Sequence, residues 1–420
     1  MTGTARKTQG SIKSPKVPAN RPPVVMFLAK AFQRGEGSTP RAKQEAEALL
    51  KAGYPVYVLA WDRKGEVPDF ENVDGTFVHS FNPLKLRRFS RLQLGIGGMI
   101  FMILLTFHAV RLVGQLKKRP IIHAHDINTL PIGCLLKALR LCCGLVYDCR
   151  EFTYGVYYEW FNSQVASLVR VVEESCLHYA DVVITVSDSI AGYLRRFNTA
   201  TEIVYNCPKA EEIPRLSKRE ARIQLGLPLE AFIVSSVGAI RPDCRFDLLL
   251  DVALVTQSRS IRYVVVGNGP LALAFRKDAK QAGANLTVLP AVPRRQALLY
   301  VLASDLTWAI YQNRPESMNP RMTLPWKFFE SLACGVPVLV DPGTMRATLV
   351  NRFGCGIVLG SDHPDNVSRV IGSLAENGAE YKGMCLRAKD AADSSGFNWE
   401  TMSVKLINVY SRLGTCGWLS

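Results

Sequence analysis

Lys327 and Glu330 stand three residues apart in LPWKFFESLACGVPVLV, Leu324 to Val340, among aromatic and small neighbours. Pro325 suits the first position of a helix and Gly335 its end, so both charges fall on one helical face within two turns of an amino terminus. A lysine there meets an anion, and a glutamate accepts hydrogen bonds from hydroxyls. The competing reading is a plain intrahelical ion pair, although Trp326, Phe328, Phe329 and Leu332 mark the helix as mostly packed. Two further cations, Arg241 and Arg245, lie between a strand-like run ending at Gly238 and a helix beginning near Phe246. Charged hydrogen bonds and a helix dipole add at such a place, so the pair reads as a diphosphate clamp. A solvated loop with Arg245 paired to Asp243 or Asp247 is the alternative.

Three more loops carry chemistry. In KAFQRGEGSTPRAKQEA, Gly35, Gly37 and Ser38 can wrap an anion ahead of a helix opened by Pro40, or simply form a flexible connection. In VVVGNGP, Gly267 and Gly269 bring backbone close to the cleft, and the missing third glycine of G-x-G-x-x-G argues against a dinucleotide site. In IIHAHD, alternation sends His123 and His125 to the same side of a strand, which raises a metal site. No other Cys/His spacing supports one, so a polar lip of the cleft is expected and no metal, with His123 also readable as a core histidine.

The elements that must position these loops alternate along the chain. Short, β-branched runs (VVMFLA, VYVLAW, TFVHSF, IIHAHD, GLVYDC, DVVITV, EIVYN) are separated by helical patterns such as Pro40 to Ala52 and Gln164 to Ala180. After a charged, proline-bearing break at Cys207 to Pro228 the same grammar restarts at Ala231. The expected fold class is therefore α/β, with two Rossmann-like doubly wound parallel-sheet domains facing across a cleft. Residues 1–23 read as a disordered basic tail, 24–207 as the N-terminal Rossmann-like domain, 208–396 as the C-terminal one, and 397–420 as a helix packing back across the junction. Ligands of such sheets bind beyond the carboxyl ends of the strands, where the quoted loops lie.

The 420 residues carry a formal net charge of +15 and are 48% hydrophobic, a soluble globular composition that wants an anionic partner. Eleven cysteines without a C-x-x-C pair, and no secretory signal, imply reduced thiols in the cytoplasm. Leu92 to Val110 is free of charge and flanked by arginines and lysines. That pattern suits a helix buried on a sheet or lying in a membrane interface better than a spanning one, because its glycines and His108 weaken insertion.

Taken together these residues resemble the family-four retaining glycosyltransferases of the GT-B fold, of the type that builds bacterial surface polysaccharides. LPWKFFESLACGVPVLV resembles that family's P-x-K-x-F-E-x-(L/M)-A-x-G-x-P-V signature, and YDCREF, ITVSDSIAGYL and VYNCP resemble its first domain. The resemblance implies a nucleotide-diphosphate sugar as co-substrate, a saccharide or lipid-linked acceptor, and no required metal, with 24–207 as the acceptor domain and 208–396 as the nucleotide-sugar domain. It places Glu330 on the nucleotide ribose, Arg245 and Lys327 on the diphosphate with Arg241 helping, His125 near the transferred sugar, and Gly35 to Ser38 between donor phosphate and acceptor. Gly238 and Gly267 border the donor. One position departs: the glutamate eight before Glu330 is Met322 here, with Glu316 and Ser317 further upstream. Retention without a protein nucleophile implies front-face attack by the acceptor hydroxyl. No D-x-D is present to clamp a metal. The alternatives are a nucleotide-sugar epimerase on the same fold and, in another class, a basic nucleic-acid-binding protein. The positive charge concentrates in the tail, at Lys85 to Arg91 and at Lys117 to Arg119, which suits peripheral contact with an anionic membrane at its cytoplasmic face and not nucleic acid.

Overall fold

The computed structural model describes residues 21–32, 40–63, 65–82, 91–198, 200–282, 285–312 and 318–415. The first half runs β1 (Val24–Leu28), α1 (Pro40–Lys51), β2 (Val56–Trp61), β3 (Phe70–Val73), β4 (Thr76–Phe81), α2 (Arg91–Gln115) and β5 (Ile121–His125). It continues α3 (Leu130–Ala138), β6 (Gly144–Cys149), α4 (Thr153–Trp160), α5 (Ser163–Leu177), β7 (Val182–Thr185), α6 (Asp188–Leu194) and β8 (Thr201–Ile203). These strands form one sheet in the order β3-β4-β2-β1-β5-β6-β7-β8. Every residue of β1, β2, β5 and β6 is buried, as continuous apolar runs covered by helices on both faces require.

The second half runs α7 (Lys218–Leu225), β9 (Phe232–Val237), α8 (Phe246–Val255), β10 (Ile261–Val266), α9 (Ala272–Ala282), β11 (Leu286–Leu289), α10 (Arg294–Leu302) and β12 (Leu306–Ala309). Then come α11 (Met318–Met322), α12 (Trp326–Ala333), β13 (Val338–Val340), α13 (Met345–Phe353), β14 (Gly356–Val358), α14 (Pro364–Glu376), α15 (Gly378–Ser394) and α16 (Trp399–Thr415). Its sheet is parallel throughout, ordered β11-β10-β9-β12-β13-β14. Helix α7 opens this domain with a capping box, Ser217 and Glu220 satisfying each other's backbone donors, and closes on Gly226 at φ 65°.

Three elements differ from the sequence expectation. β3 is a short edge strand, antiparallel to β4, whose polar FENV pattern gives no strand signal. EIVYN yields only the three residues of β8 before the chain leaves for the linker. Pro325 is the N-cap of α12 and Trp326 its first residue, one position later than expected.

α16 returns to the first domain, where Leu413 packs near Gly144 and the Tyr410 hydroxyl meets His123 Nδ1 at 2.5 Å. The junction is aromatic: Tyr205, Phe329 and Phe397 lie with ring centroids 5.2 to 5.4 Å apart, one residue each from the linker, α12 and the segment before α16. A single apolar cluster thus runs from the α1 face of the first sheet into the second domain. On the opposite face α2 turns Phe101, Leu105 and Ala109 to the sheet, with Phe101 stacked on Trp61 at 4.9 Å.

Candidate active site

α12 lies on the crossover from β12 to its neighbour β13, after the connection that carries α11, so its first turn faces the carboxyl ends of the second sheet. Lys327 and Glu330 are nearly buried, at 8% and 7% exposure, and each goes to a different partner. Lys327 Nζ donates to Ser236 Oγ on β9 at 3.0 Å and lies 5.7 Å from the centre of the Tyr311 ring. Glu330 accepts from Arg294 Nη1 at 2.6 Å. The intrahelical pair is not what these charges make. Burial lowers the Lys327 pKa, because a desolvated ammonium with one hydrogen bond is poorly compensated. Such a group has donors to spare for an anion.

The glycines beside Lys327 exist for a close approach of backbone. Gly238, at φ 134°, ends β9, and a Cβ on it would sit 3.8 Å from Lys327 Cε. Gly267 was expected to face a ligand, but a Cβ there would fall 1.8 Å from the Gly238 carbonyl oxygen. Its role is therefore to let two strand ends touch.

Arg241 and Arg245 do flank the amino terminus of α8, yet both are engaged by carboxylates. Arg241 Nε donates to Asp243 at 2.9 Å, while Arg245 reaches Asp247 at 3.0 Å and Asp362 at 3.2 Å. In this structure both guanidiniums are therefore paired with nearby carboxylates, from their own loop, from the first turn of α8 and from Asp362. Across the cleft, burial and the charges of Asp243 and Glu151 push the Glu159 carboxyl of α4 up to about 7. The first domain's lip is thereby set against the Arg241 loop. α4 also meets α11, where Asn319 Oδ1 accepts from the Phe152 N–H at 2.8 Å. Met322, at the departed glutamate position, packs against the first domain's apolar cluster. Gly35, Gly37, Ser38, Glu316 and Ser317 lie outside the described residues.

The histidines require a correction. His123 and His125 are fully buried, so neither forms a polar lip of the cleft. His125 Nδ1 meets Asp148 Oδ2 at 3.1 Å, and Arg41 holds both Asp148 oxygens at 2.9 and 3.0 Å. Arg41 also reaches Glu45 at 2.9 Å and the Val204 carbonyl at 2.7 Å. β5 and β6 pair in register at His125 and Asp148, which is why these side chains converge. Ligand atoms of Glu45, His123, His125 and Asp148 lie within 4.8 Å of one another, close enough to suggest a metal site. The imidazoles, however, stack 4.2 Å apart and within 9° of parallel. A nitrogen lone pair lies in its ring plane, so parallel rings do not converge on one cation at roughly 2.0–2.1 Å. Arg41 already supplies the countercharge. The cluster fits a guanidinium and a proton: burial and the Asp148 charge push the Glu45 carboxyl up to about 8.

Two arginines that sequence reasoning passed over, Arg150 and Arg294, stand near strand ends beside acidic partners. Asp126, at φ 62°, ends β5 beside Arg150, whose Nε donates to it at 3.1 Å. Arg294 opens α10 and bridges Glu330 to Glu212 of the linker at 2.8 Å. It borders a cleft of about 1330 Å³ between α1 and α10. The signal for both was available: Arg150 directly follows β6 in YDCREF, and Arg294 opens a helix on the loop after β11 in VPRRQ.

The chain matches two family descriptions, "Glycosyl transferase 4-like domain" over residues 36–208 and "Glycosyl transferases group 1" over residues 217–392. It is 27% identical over 209 residues to a D-inositol 3-phosphate glycosyltransferase of Streptosporangium roseum, a match covering 46% of each chain. A Mycobacterium avium protein of the same name is 27% identical over 202 residues, covering 46% of this chain and 45% of its own. The chain thus spans about half the length of the curated relatives it matches. Its fold resembles sucrose-phosphate synthase from Thermosynechococcus elongatus, with TM-score 0.76, 18% identity, and coverage of 93% of this chain and 99% of that one. It also resembles Anabaena HepE in complex with UDP, with TM-score 0.65, 15% identity, and coverage of 92% and 99%. The two matched regions hold every described strand except β1, together with the α12 signature, and the chain belongs to the family-four glycosyltransferases of the GT-B fold.

Proposed function

We propose that the protein transfers a hexosyl group from a nucleotide-diphosphate sugar to a hydroxyl of a saccharide or lipid-linked acceptor, with retention at the anomeric carbon, in the building of a polysaccharide or other glycan. The observation that carries this reading is Lys327: a buried ammonium with one hydrogen bond among the described residues, beside Gly238 and the amino terminus of α8. Breaking the bond from the anomeric carbon to phosphate loads charge onto the leaving diphosphate, and a fixed cation in a dry site stabilises that charge most as it develops. The leaving group would draw Arg241 and Arg245 from their loop carboxylates, and no metal is invoked. Glu330 would take the ribose hydroxyls. HepE with UDP, and a trehalose-6-phosphate enzyme of Escherichia coli with UDP-2-fluoro glucose, support the donor class.

Differential scanning fluorimetry with a panel of nucleotide sugars tests the donor. One of them at a hundred times its Kd should stabilise the fold by about 2.7 kcal/mol. A panel that leaves the melting temperature unmoved would sink the reading, and conversion of a donor to its epimer without acceptor would replace transfer by epimerisation. Arg294→Ala should raise the donor KM about tenfold, or about 1.4 kcal/mol, with kcat little changed, because Arg294 holds Glu330 in place for binding and not for the bond-breaking step. A fall in kcat at unchanged KM would contradict that role.

A further inference from the structure

α2 faces the sheet with one stripe and solvent with another equally apolar one. Met99, Ile103, Phe107 and Val110 recur at helical spacing and are 63%, 69%, 60% and 42% exposed. α3 packs beside α2 and α5 beside α3, and both continue the pattern: Leu135 and Leu139 are 44% and 56% exposed, and Leu168 and Val171 on the outer side of α5 are 66% and 54% exposed. A layer with this many exposed apolar side chains marks a docking surface.

Charge identifies what docks. Residues 83–125 hold eight lysines and arginines and no aspartate or glutamate, so 8 of the formal excess of 15 positive charges sit in and around this one helix. That is the charge complement of an anionic lipid surface. Gly97–Gln115 is long and apolar enough to cross a bilayer, with a hydropathy of 1.7. Crossing would tear Phe101 from its stacks on Trp61 and Phe81, at 4.9 and 5.4 Å, and expose the sheet beneath. A helix fixed to the domain by its inner stripe lies in the interface with its outer stripe immersed, at a depth of roughly 5–10 Å.

We propose that the α2–α5 layer is a lipid-docking face, seated on an anionic membrane by Ile103 and Phe107 with the flanking cations on the headgroups. The proposal deepens the transferase reading by naming the lipid as the acceptor's carrier: α4, which packs against α5, brings Glu159 opposite the Arg241 loop.

The test is flotation of the full chain with vesicles of phosphatidylcholine containing one third phosphatidylglycerol, against phosphatidylcholine alone, at low and high salt. Binding should be at least tenfold stronger to the anionic vesicles and fall with salt. Ile103→Glu with Phe107→Glu should cost a further tenfold, while Leu273→Glu, at an 80% exposed position on α9 of the other domain, should cost nothing. Circular dichroism and the donor-induced thermal shift, both unchanged in the double variant, separate loss of docking from loss of fold or of donor binding. Failure to bind anionic vesicles, or equal binding by wild type and double variant, overturns the proposal. So does a wild-type dimer that the double variant dissolves without any change in flotation, since the face then covers a second copy.

Discussion

Lys327→Met is expected to lower kcat by a factor of 10² to 10³, about 2.7–4 kcal/mol of transition-state stabilisation, the loss seen when one fixed donor is removed from a developing anion. The same variant should melt no lower than wild type. The ammonium is desolvated and has one hydrogen bond among the described residues, to Ser236, so replacing it by an apolar chain of similar length removes a poorly compensated charge. Activity and stability therefore move independently, which a merely structural lysine would not allow. The pH profile adds a second check. Burial lowers the Lys327 pKa in the free protein, so its charge is lost as pH rises through that depressed value. A bound diphosphate favours the charged form and moves the loss upward. The alkaline limb of kcat/KM, which reports free enzyme, should lie at lower pH than that of kcat. For stability the sign is opposite: the folded protein holds this proton less tightly than the unfolded chain, so the lysine's contribution improves as pH rises between the two values. Steady-state kinetics of Lys327→Met decide the matter, and turnover within a few-fold of wild type would remove Lys327 from the chemistry.

The architecture was legible because parallel strands buried on both faces must be continuously apolar. VVMFLA, VYVLAW and IIHAHD became fully buried β1, β2 and β5 for that reason. The α12 charges were legible because two ionised groups in an aromatic helix demand partners. Which partners was not legible: Ser236 and Arg294 are 91 and 36 residues away in sequence, and only the order of strands brings them near. His125 was misjudged for a related reason. Alternation gives the side of a strand to which a residue points but not what covers that side, and here α1 and α16 cover it completely. Arg241 and Arg245 were placed at the correct helix end, while their carboxylate partners depend on loop conformation. α2 was ambiguous because a helix with two apolar stripes has the same composition as a spanning one, and only the stacking of Phe101 on Trp61 separates them.

The buried charges beneath α1 yield the largest expected loss of stability. Arg41→Met leaves Asp148 and Glu45 buried without their guanidinium, at a cost of about 3–5 kcal/mol. Glu45→Gln should be mild by comparison, because the native carboxyl already holds its proton up to about 8. The two carboxyls give opposite pH limbs. Asp148 is held well below the usual carboxylate range: its burial, which works the other way, is outweighed by the charge of Arg41 and by the hydrogen bond with His125. The stability it contributes is therefore present above its unfolded value, near 3.8, and lost as pH falls below that. Glu45 is raised, so its contribution is complete below 4.5 and lost as pH climbs through about 8. Melting temperature should accordingly peak in the mildly acidic range, and Glu45→Gln should flatten the alkaline limb alone. The cluster also joins α1, β5, β6, the linker at Val204 and α16 through Tyr410 at His123, so its loss should loosen the domain junction before it disturbs either sheet. A double-mutant cycle of Arg41→Met with Asp148→Asn isolates the pair. If the network is one unit, the double variant is more stable than the sum of the single losses predicts, by about 0.5–3 kcal/mol. Additive losses would mean that Arg41 acts only by tethering α1 to the Val204 carbonyl, and the ion pair would then carry none of the stability assigned to it.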